Sequence, residues 1–457
     1  MDSTESVAIP YLDTSARCAR SPDSDLIEFS MLLVKINRMP GWILHHRQRS
    51  GMLRVDSEGQ QIALKLMKSQ NLFMKTLIVV RQPHPNLAGI VFGLESSAYN
   101  VQVAAFSPRD GCVEINGKVP IYLSYSWLSK RNYSGKKLHI NGRPSLKSLI
   151  FIFAKINPEI IIVRSFRKPF WIISVIGFVL RKKVLILSDT EKYFKKKRDI
   201  SLYDKCRTAV IRFFSLINLS PTGVIFSVKA PEDSQAEEKR VWLLPGVPYI
   251  NICYPVKQIA TVNSQGRICK NRLRVVVPTK FDNQRKQPWI VLDCLPFSKH
   301  KDKLDIIFTG FGSESSVGVK KIKESAKQIG FAHYKILFNI PTDGLRRLMQ
   351  QSDLMIAPAV NEPHGMVVPE ALSSGLPVLC SDTLGTRYCV IESGAGVVFR
   401  SSDAHDLADK LDQVIFDKKL LEVMKEKALQ YADIHLAPAA WVDNVEKIIG
   451  KRAIRNS

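Results

Sequence analysis

The chain has 457 residues and a net charge of +24, enough length for two domains with full cores and a field that attracts anionic partners without choosing among them. Its eight cysteines are scattered with no Cys-x-x-Cys pair, which argues against a zinc site or disulfide framework and fits a reducing cytosol. No apolar run reaches the roughly 20 residues that span a bilayer, and no N-terminal stretch has the basic start and apolar core of a secretion signal, so the expectation is a cytoplasmic chain, soluble or peripheral.

Residues 1–73 do not read as a domain. Ser, Asp, Thr and Arg dominate the first 25 positions, and the apolar patches at 31–34 and 42–44 are weak. The expectation is a disordered extension, or one absent from the natural product, with Met67 or Met74 as the start. From there strands and helices alternate. Strands are predicted at 74–80, 101–106, 159–163 and 183–187, with helices at 145–154 and 170–180. The 159–163 run is β-branched and follows Asn157-Pro158, the mark of a buried strand. A basic helical segment is predicted over 205–216, then short strands at 224–226 and 241–244.

Polar residues replace the pattern between 255 and 271, and the alternation then restarts. Strands are predicted at 273–277, 304–309, 334–338, 354–357 and 378–380. Helices are predicted at 289–295, 318–329, 345–351, around Glu370, and at 404–415 and 420–432. Such alternation implies right-handed βαβ units and parallel sheets. The expected fold class is α/β, with two doubly wound Rossmann-like domains facing a cleft. Their bounds are 74–265 and 266–435, followed by a terminal helix in 436–457.

Glu362 and Glu370 are the most informative pair. Seven residues separate them, and they bracket Gly365 and the start of a short helix. One carboxylate can hold a sugar and the other a ribose, while N–H groups of Met366 and Val367 at the helix start can receive a diphosphate. A Glu-Ala-Leu helix and a Gly-x-Pro-Val exit follow, at 370–372 and 375–378. Earlier, the strand 273–277 leads to Lys280, Arg285 and Lys286, and the strand 304–309 runs into Gly310-Phe311-Gly312. The plain alternatives are capping or surface acids, an exposed basic loop and a tight turn.

From 275 to 399 this order resembles the retaining GT-B glycosyltransferases of the family 4, group 1 type, with their E-x7-E signature. The resemblance is weak over the first half. It implies that the second domain holds a nucleotide sugar, with UDP or GDP as the nucleotide and no metal or other cofactor. The family clamps the diphosphate with an Arg and a Lys five positions later. Here Lys280 and Arg285 keep that spacing with the types exchanged, and Lys286 adjoins them. Fixed cations can stabilise the charge that builds on a leaving diphosphate, although only Arg binds two oxygens as a fork. Glu362 is expected to contact the donor sugar. Glu370, near a helix N-terminus, is expected to stay ionised and to accept the ribose hydroxyls. His364 stands where the family has an aromatic residue, and it either fills space or donates to the donor sugar. Gly365 suits a close backbone approach or a positive φ, and Gly310 and Gly312 resemble the turn beside the nucleotide.

By the same resemblance the first domain binds the acceptor, a growing oligosaccharide or lipid-linked glycan, and the last helix crosses back to that domain. The family's glycine-rich loop corresponds to 84–89, with His84 and Gly89 as acceptor or loop candidates. No catalytic base is assigned. The only Asp-x-Asp, at 23–25, lies in the extension and is discounted as a metal site. Basic and aromatic residues at 130–131, 136–137, 166–171 and 192–198 suggest docking on the anionic inner face of the cytoplasmic membrane. The rival readings are a UDP-N-acetylglucosamine 2-epimerase-like enzyme, a basic nucleic-acid-binding protein and a degenerate, non-catalytic homologue. Neither zinc-finger spacing nor an RNP-like motif is present, so nucleic acid is not the expected partner.

Overall fold

The computed structural model describes residues 73–455 apart from 98, 108–113, 134–136, 165–169, 189–208, 210–220, 228–246, 258–271 and 363. The expected extension, the helical segment 205–216, the strand 241–244 and the boundary 255–271 therefore fall wholly or mainly outside the described residues.

The first sheet is built from β1 (Met74–Val80), β2 (Tyr99–Ala105) and β3 (Ile121–Tyr122), then β6 (Ile160–Val163), β7 (Lys183–Ser188), β8 (Gly223–Phe226) and β9 (Tyr249–Asn251). The strands lie in the order β3-β2-β1-β6-β7-β8-β9, and every neighbouring pair is parallel. Two further strands, β4 (Tyr125–Tyr133) and β5 (Lys137–Pro144), form a separate antiparallel hairpin. Strands such as β1 and β6 are buried along nearly their whole length, because crossover helices cover both faces of a parallel sheet. These helices include α1 (Ala88–Glu95), α2 (Leu146–Ile150, continued as a wider turn to Ile156) and α3 (Phe170–Val179).

The second sheet contains β10 (Leu273–Lys280), β11 (Leu304–Phe311), β12 (Tyr334–Phe338), β13 (Leu354–Ala357), β14 (Val378–Ser381) and β15 (Gly396–Phe399). Its order is β12-β11-β10-β13-β14-β15. That is the doubly wound arrangement, whose order reverses between β10 and β13. The helices are α4 (Ile290–Asp293), α5 (Val317–Ile329), α6 (Thr342–Gln350), α7 (Val367–Ser373), α8 (Arg387–Ser393), α9 (Ala404–Phe416) and α10 (Lys418–Tyr431). The structure thus has the expected α/β class with two parallel-sheet domains.

The last helix, α11 (Pro438–Arg455), buries Trp441, Val442, Val445 and Ile448 in the first-domain core beside Ile90, Val91 and Leu94. Their spacing forms one helical stripe. A second link is the segment after β9. Ile252 and Tyr254 face the first-domain core, while Cys253 between them packs with the second, since successive side chains of an extended chain point to opposite sides. Both links press on α1. A Cβ at Gly89 would stand 1.9 Å from the Pro255 carbonyl oxygen, and one at Gly93 would stand 2.7 Å from that of Pro438.

Candidate active site

In doubly wound sheets ligands bind beyond the carboxyl ends of the strands, where the strand order reverses. Here that places the site between the segments that follow β10 and β13. After β10 the chain makes a single tight turn over Gln284–Lys286. It is capped by Asn283, whose Oδ1 accepts from the Arg285 N–H at 3.1 Å. After β13 the Val360 N–H donates to the Arg285 carbonyl at 2.7 Å. Arg285 Nη1 donates to the Asn361 carbonyl at 3.2 Å. The two loops are therefore stitched together by backbone and guanidinium alike.

Glu362 sits at that seam. Its Oε2 lies 3.3 Å from Lys286 Nζ and 4.0 Å from Arg285 Nη2. Lys286 is the nearer cation, although the spacing argument ranked it only as a neighbour. The backbone of Glu362 is held from the other side. It bridges in parallel to Leu384, and its carbonyl accepts from the Gly385 N–H at 2.8 Å. The adjacent Asn361 N–H donates to Thr383 Oγ1 at 3.1 Å. A carboxylate has about four acceptor positions, so an acid fixed by cations on one side retains capacity for hydroxyl donors.

Gly365 has φ +67°, and a Cβ there would meet Leu384 Cδ1 at 2.7 Å. The Thr386 hydroxyl donates to its carbonyl at 2.9 Å. The glycine is thus required by its own backbone and by Leu384. The His364 ring stacks on Tyr254, with centroids 4.7 Å apart and planes 19° apart. Met366 packs against the first-domain core. The middle of the Glu–Glu stretch therefore lies at the junction of the two domains. In α7 the first backbone bonds are donated by Val368 and Glu370, which leaves Met366 and Val367 ahead of the helical ladder.

Glu370 requires a correction. Its helix packs Val368, Pro369, Ala371 and Leu372 inward, and the half-buried carboxyl is drawn in with them. Burial pushes its pKa from 4.5 up to about 7, partly offset by the Arg346 guanidinium. It is thus only partly ionised at neutral pH, and not held fully ionised as its place near a helix start suggested. Desolvation of the charged form outweighs the helix dipole, which is worth at most about 2 kcal/mol. Arg346, on α6, was read only as part of a helix. Its Nε is buried with no hydrogen-bond partner. A helical period cannot show which distant carboxyl an arginine will meet.

Lys280 ends β10 and lines a recess of about 400 Å³ with Asp282, Asn283, Gln284, Phe311 and Gly312. A Cβ at Gly310 would stand 1.8 Å from the Thr279 carbonyl oxygen. Asn339 fastens the turn, accepting from the Gly312 N–H at 3.3 Å and donating to the Gly312 carbonyl at 3.1 Å.

The two candidates from the first domain behave differently. Gly89 lies buried in the first turn of α1 against Pro255. It serves chain packing rather than the expected acceptor or loop role. His84 caps the turn Pro85–Leu87, its Nδ1 accepting from the Asn86 N–H at 3.2 Å. Among the described residues no group of three or more His, Cys, Asp and Glu side chains could hold a metal ion. Cys253, Cys294, Cys380 and Cys389 are buried, and none of them is in a disulfide.

Residues 274–431 match the family described as glycosyl transferases group 1. The D-inositol 3-phosphate glycosyltransferase of Nocardia farcinica is 28% identical over 239 residues, 51% of this chain and 46% of that protein. Its counterpart in Corynebacterium diphtheriae is 27% identical over 175 residues, 37% and 41% of the two chains. The lipopolysaccharide glucosyltransferase WaaG of Escherichia coli is 28% identical over 115 residues, 25% of this chain and 30% of that one. The chain thus spans less than half the length of these curated relatives. Among solved structures, a glycosyltransferase from Rickettsia africae has a TM-score of 0.59 at 14% identity, covering 84% of this chain and 100% of that one. Anabaena HepE in complex with UDP and glucose has a TM-score of 0.54 at 15% identity, covering 84% and 99%. At such identities the likeness is one of fold. With its two parallel-sheet domains the chain has the GT-B fold, and its residues 274–431 match the group 1 glycosyltransferases.

Proposed function

We propose that the protein is a retaining glycosyltransferase that moves a hexosyl group from a UDP- or GDP-sugar to a growing, lipid-linked surface glycan. The observation that carries this reading is Glu362 held by Lys286 and Arg285 at the point where the strand order reverses, with Glu370 following on α7. In this reading Glu362 accepts from hydroxyls of the donor sugar and Glu370 from those of the ribose. Lys280, Arg285 and the N–H groups of Met366 and Val367 face the diphosphate, and no metal is needed. The half-exposed Arg285 can present guanidinium N–H groups to phosphate oxygens.

The step is a front-face displacement. The bond from the anomeric carbon to the diphosphate oxygen breaks, and the acceptor hydroxyl oxygen bonds to the same face of that carbon. The acceptor proton passes to the departing phosphate oxygen. Cations fixed before the reaction stabilise the charge that builds there without reorganising.

A lipid-linked acceptor places the protein at the inner face of the cytoplasmic membrane. The basic and aromatic cluster expected to dock there lies mainly outside the described residues. Support comes from α3, where Trp171, Val179 and Leu180 are exposed and Arg181-Lys182-Lys183 follows. Each Lys or Arg near an anionic leaflet contributes about 1 kcal/mol. Among the described residues no helix is long and apolar enough to cross a membrane. Retention on anionic liposomes at low salt tests the docking, and loss of retention removes it.

Calorimetric titration of UDP and GDP into the wild type and Glu370→Ala tests the donor site. Binding of one nucleotide, much weakened in the variant, supports the reading. No binding of either nucleotide to the wild type overturns it.

A further inference from the structure

We propose that Tyr254 is a positioning residue for the donor sugar: its ring, stacked on His364, fixes the turn that presents Glu362, a role that rests on the nucleotide-sugar reading above. Tyr254 is only 1% exposed, so it touches no donor and acts only through a neighbour. That neighbour is His364, two residues beyond the acid, with ring centroids 4.7 Å apart and planes 19° apart. Both ring nitrogens of His364 are buried, so the stacked pair lies within protein rather than against solvent.

The segment that carries Tyr254 is anchored at both ends. The Ile252 N–H donates to the Phe226 carbonyl at the end of β8, and the Val256 N–H donates to the Leu436 carbonyl ahead of α11, both at 2.9 Å. Tyr254 belongs to the first-domain core with Trp441 and Val442, while Cys253 beside it belongs to the second-domain core that also contains Leu384. The ring therefore stands on a base fixed to both domains. On the other side of the turn, Glu362 bridges to Leu384, and the Thr386 hydroxyl holds the Gly365 carbonyl. His364 lies between those two holds, and the stack supplies the third. Offset aromatic rings resist sliding and tilting, so the backbone that carries Glu362 is kept from turning away from Lys286 and Arg285. The hold on Gly365 does not pass through Tyr254. The helix start at Met366 and Val367, and with it the diphosphate, therefore stands without the stack. Loss of the ring should fall on the sugar and spare the nucleotide.

The test is calorimetric titration of UDP and UDP-glucose, and of GDP and GDP-mannose, into the wild type, Tyr254→Leu, Tyr254→Phe, His364→Leu, the double variant Tyr254→Leu/His364→Leu and Glu370→Ala. We expect Tyr254→Leu to bind the nucleotide like the wild type and the sugar nucleotide roughly tenfold more weakly, the worth of one hydrogen bond to a charged group. Tyr254→Phe keeps the ring and should restore the wild-type ratio of the two affinities. The double variant should lose no more than the greater of the two single losses, because each change breaks the same stack. Single losses that multiply in the double variant overturn the proposal. Equal losses for nucleotide and sugar nucleotide also overturn it, since they report general damage to the fold. If Tyr254→Leu binds the sugar nucleotide like the wild type while Glu370→Ala loses the nucleotide, the positioning role is overturned and the donor site stands. A wild type that binds a nucleotide but neither sugar nucleotide likewise overturns the positioning role alone. A wild type that binds neither UDP nor GDP overturns both proposals.

Discussion

Lys286 Nζ stands 3.3 Å from Glu362 Oε2, with the two side chains only 14% and 17% exposed. In so dry a place the amine orients the acid and limits how far it can turn. Lys286→Met removes that partner while keeping most of the bulk, leaving Arg285 at 4.0 Å as the remaining cation. We expect a loss of roughly 1–3 kcal/mol in urea unfolding. We also expect a drop in kcat/KM of about a hundredfold, comparable to removal of one preorganised electrostatic contact. A variant with wild-type transfer rates would remove Lys286 from the site.

Glu370 makes stability and binding depend on pH with opposite signs. Its pKa is about 7 in the folded chain against 4.5 ordinarily. Between these values the folded state binds the proton more tightly than the unfolded state does. Its contribution is therefore fully present below about 4.5 and is lost as pH rises through 7, by roughly 3 kcal/mol. Glu370→Gln should unfold later than the wild type at pH 8, and the gap should close by pH 4.5. Donor affinity of the wild type should rise with pH through 7, a rise missing in the variant. Parallel stability curves for the two proteins would contradict the burial argument.

Gly89 and Gly450 should answer alike substitutions in opposite directions. At Gly89 an added methyl group meets the Pro255 carbonyl, while at Gly450 nothing lies within 4 Å. Gly89→Ala should cost roughly 3 kcal/mol despite its gain in helix propensity. Gly450→Ala, on the exposed side of α11, should stabilise by about 0.5–1 kcal/mol. Thermal unfolding of the pair is the check.

Trp441 anchors α11 in the first-domain core and is fully buried. Trp441→Ala should destabilise by about 3–5 kcal/mol. Its Nε1 has no hydrogen-bond partner. Trp441→Phe therefore removes a buried unsatisfied donor along with some volume, and it should cost clearly less. Equal losses in denaturant unfolding would place the dominant effect elsewhere.

The strands at 74–80, 334–338 and 354–357 were legible to the residue because buried parallel strands are short apolar runs ended by polar or turn residues. The Glu362–Glu370 stretch was legible for a related reason: it is local, and its Gly365, helix start and two acids lie within nine residues. What escaped reading was each partner drawn from far along the chain. Tyr254 comes to His364 from 110 positions away, and Arg346 reaches Glu370 from the neighbouring helix α6. Gly89 reads as a loop glycine until the Pro255 carbonyl arrives against it.

By itself the sequence determined the alternation of strands and helices, the doubly wound class, and which acids and cations stand near strand ends. These follow from spacing along one chain, where the pleat and the helical turn set which side chains share a face. Only the tertiary structure decided that Lys286 is the cation nearest Glu362, that Glu370 binds its proton up to about pH 7, and that the buried Tyr254 stacks on His364. Charge state and accessibility depend on how much water the packed chain excludes and on which distant group takes its place.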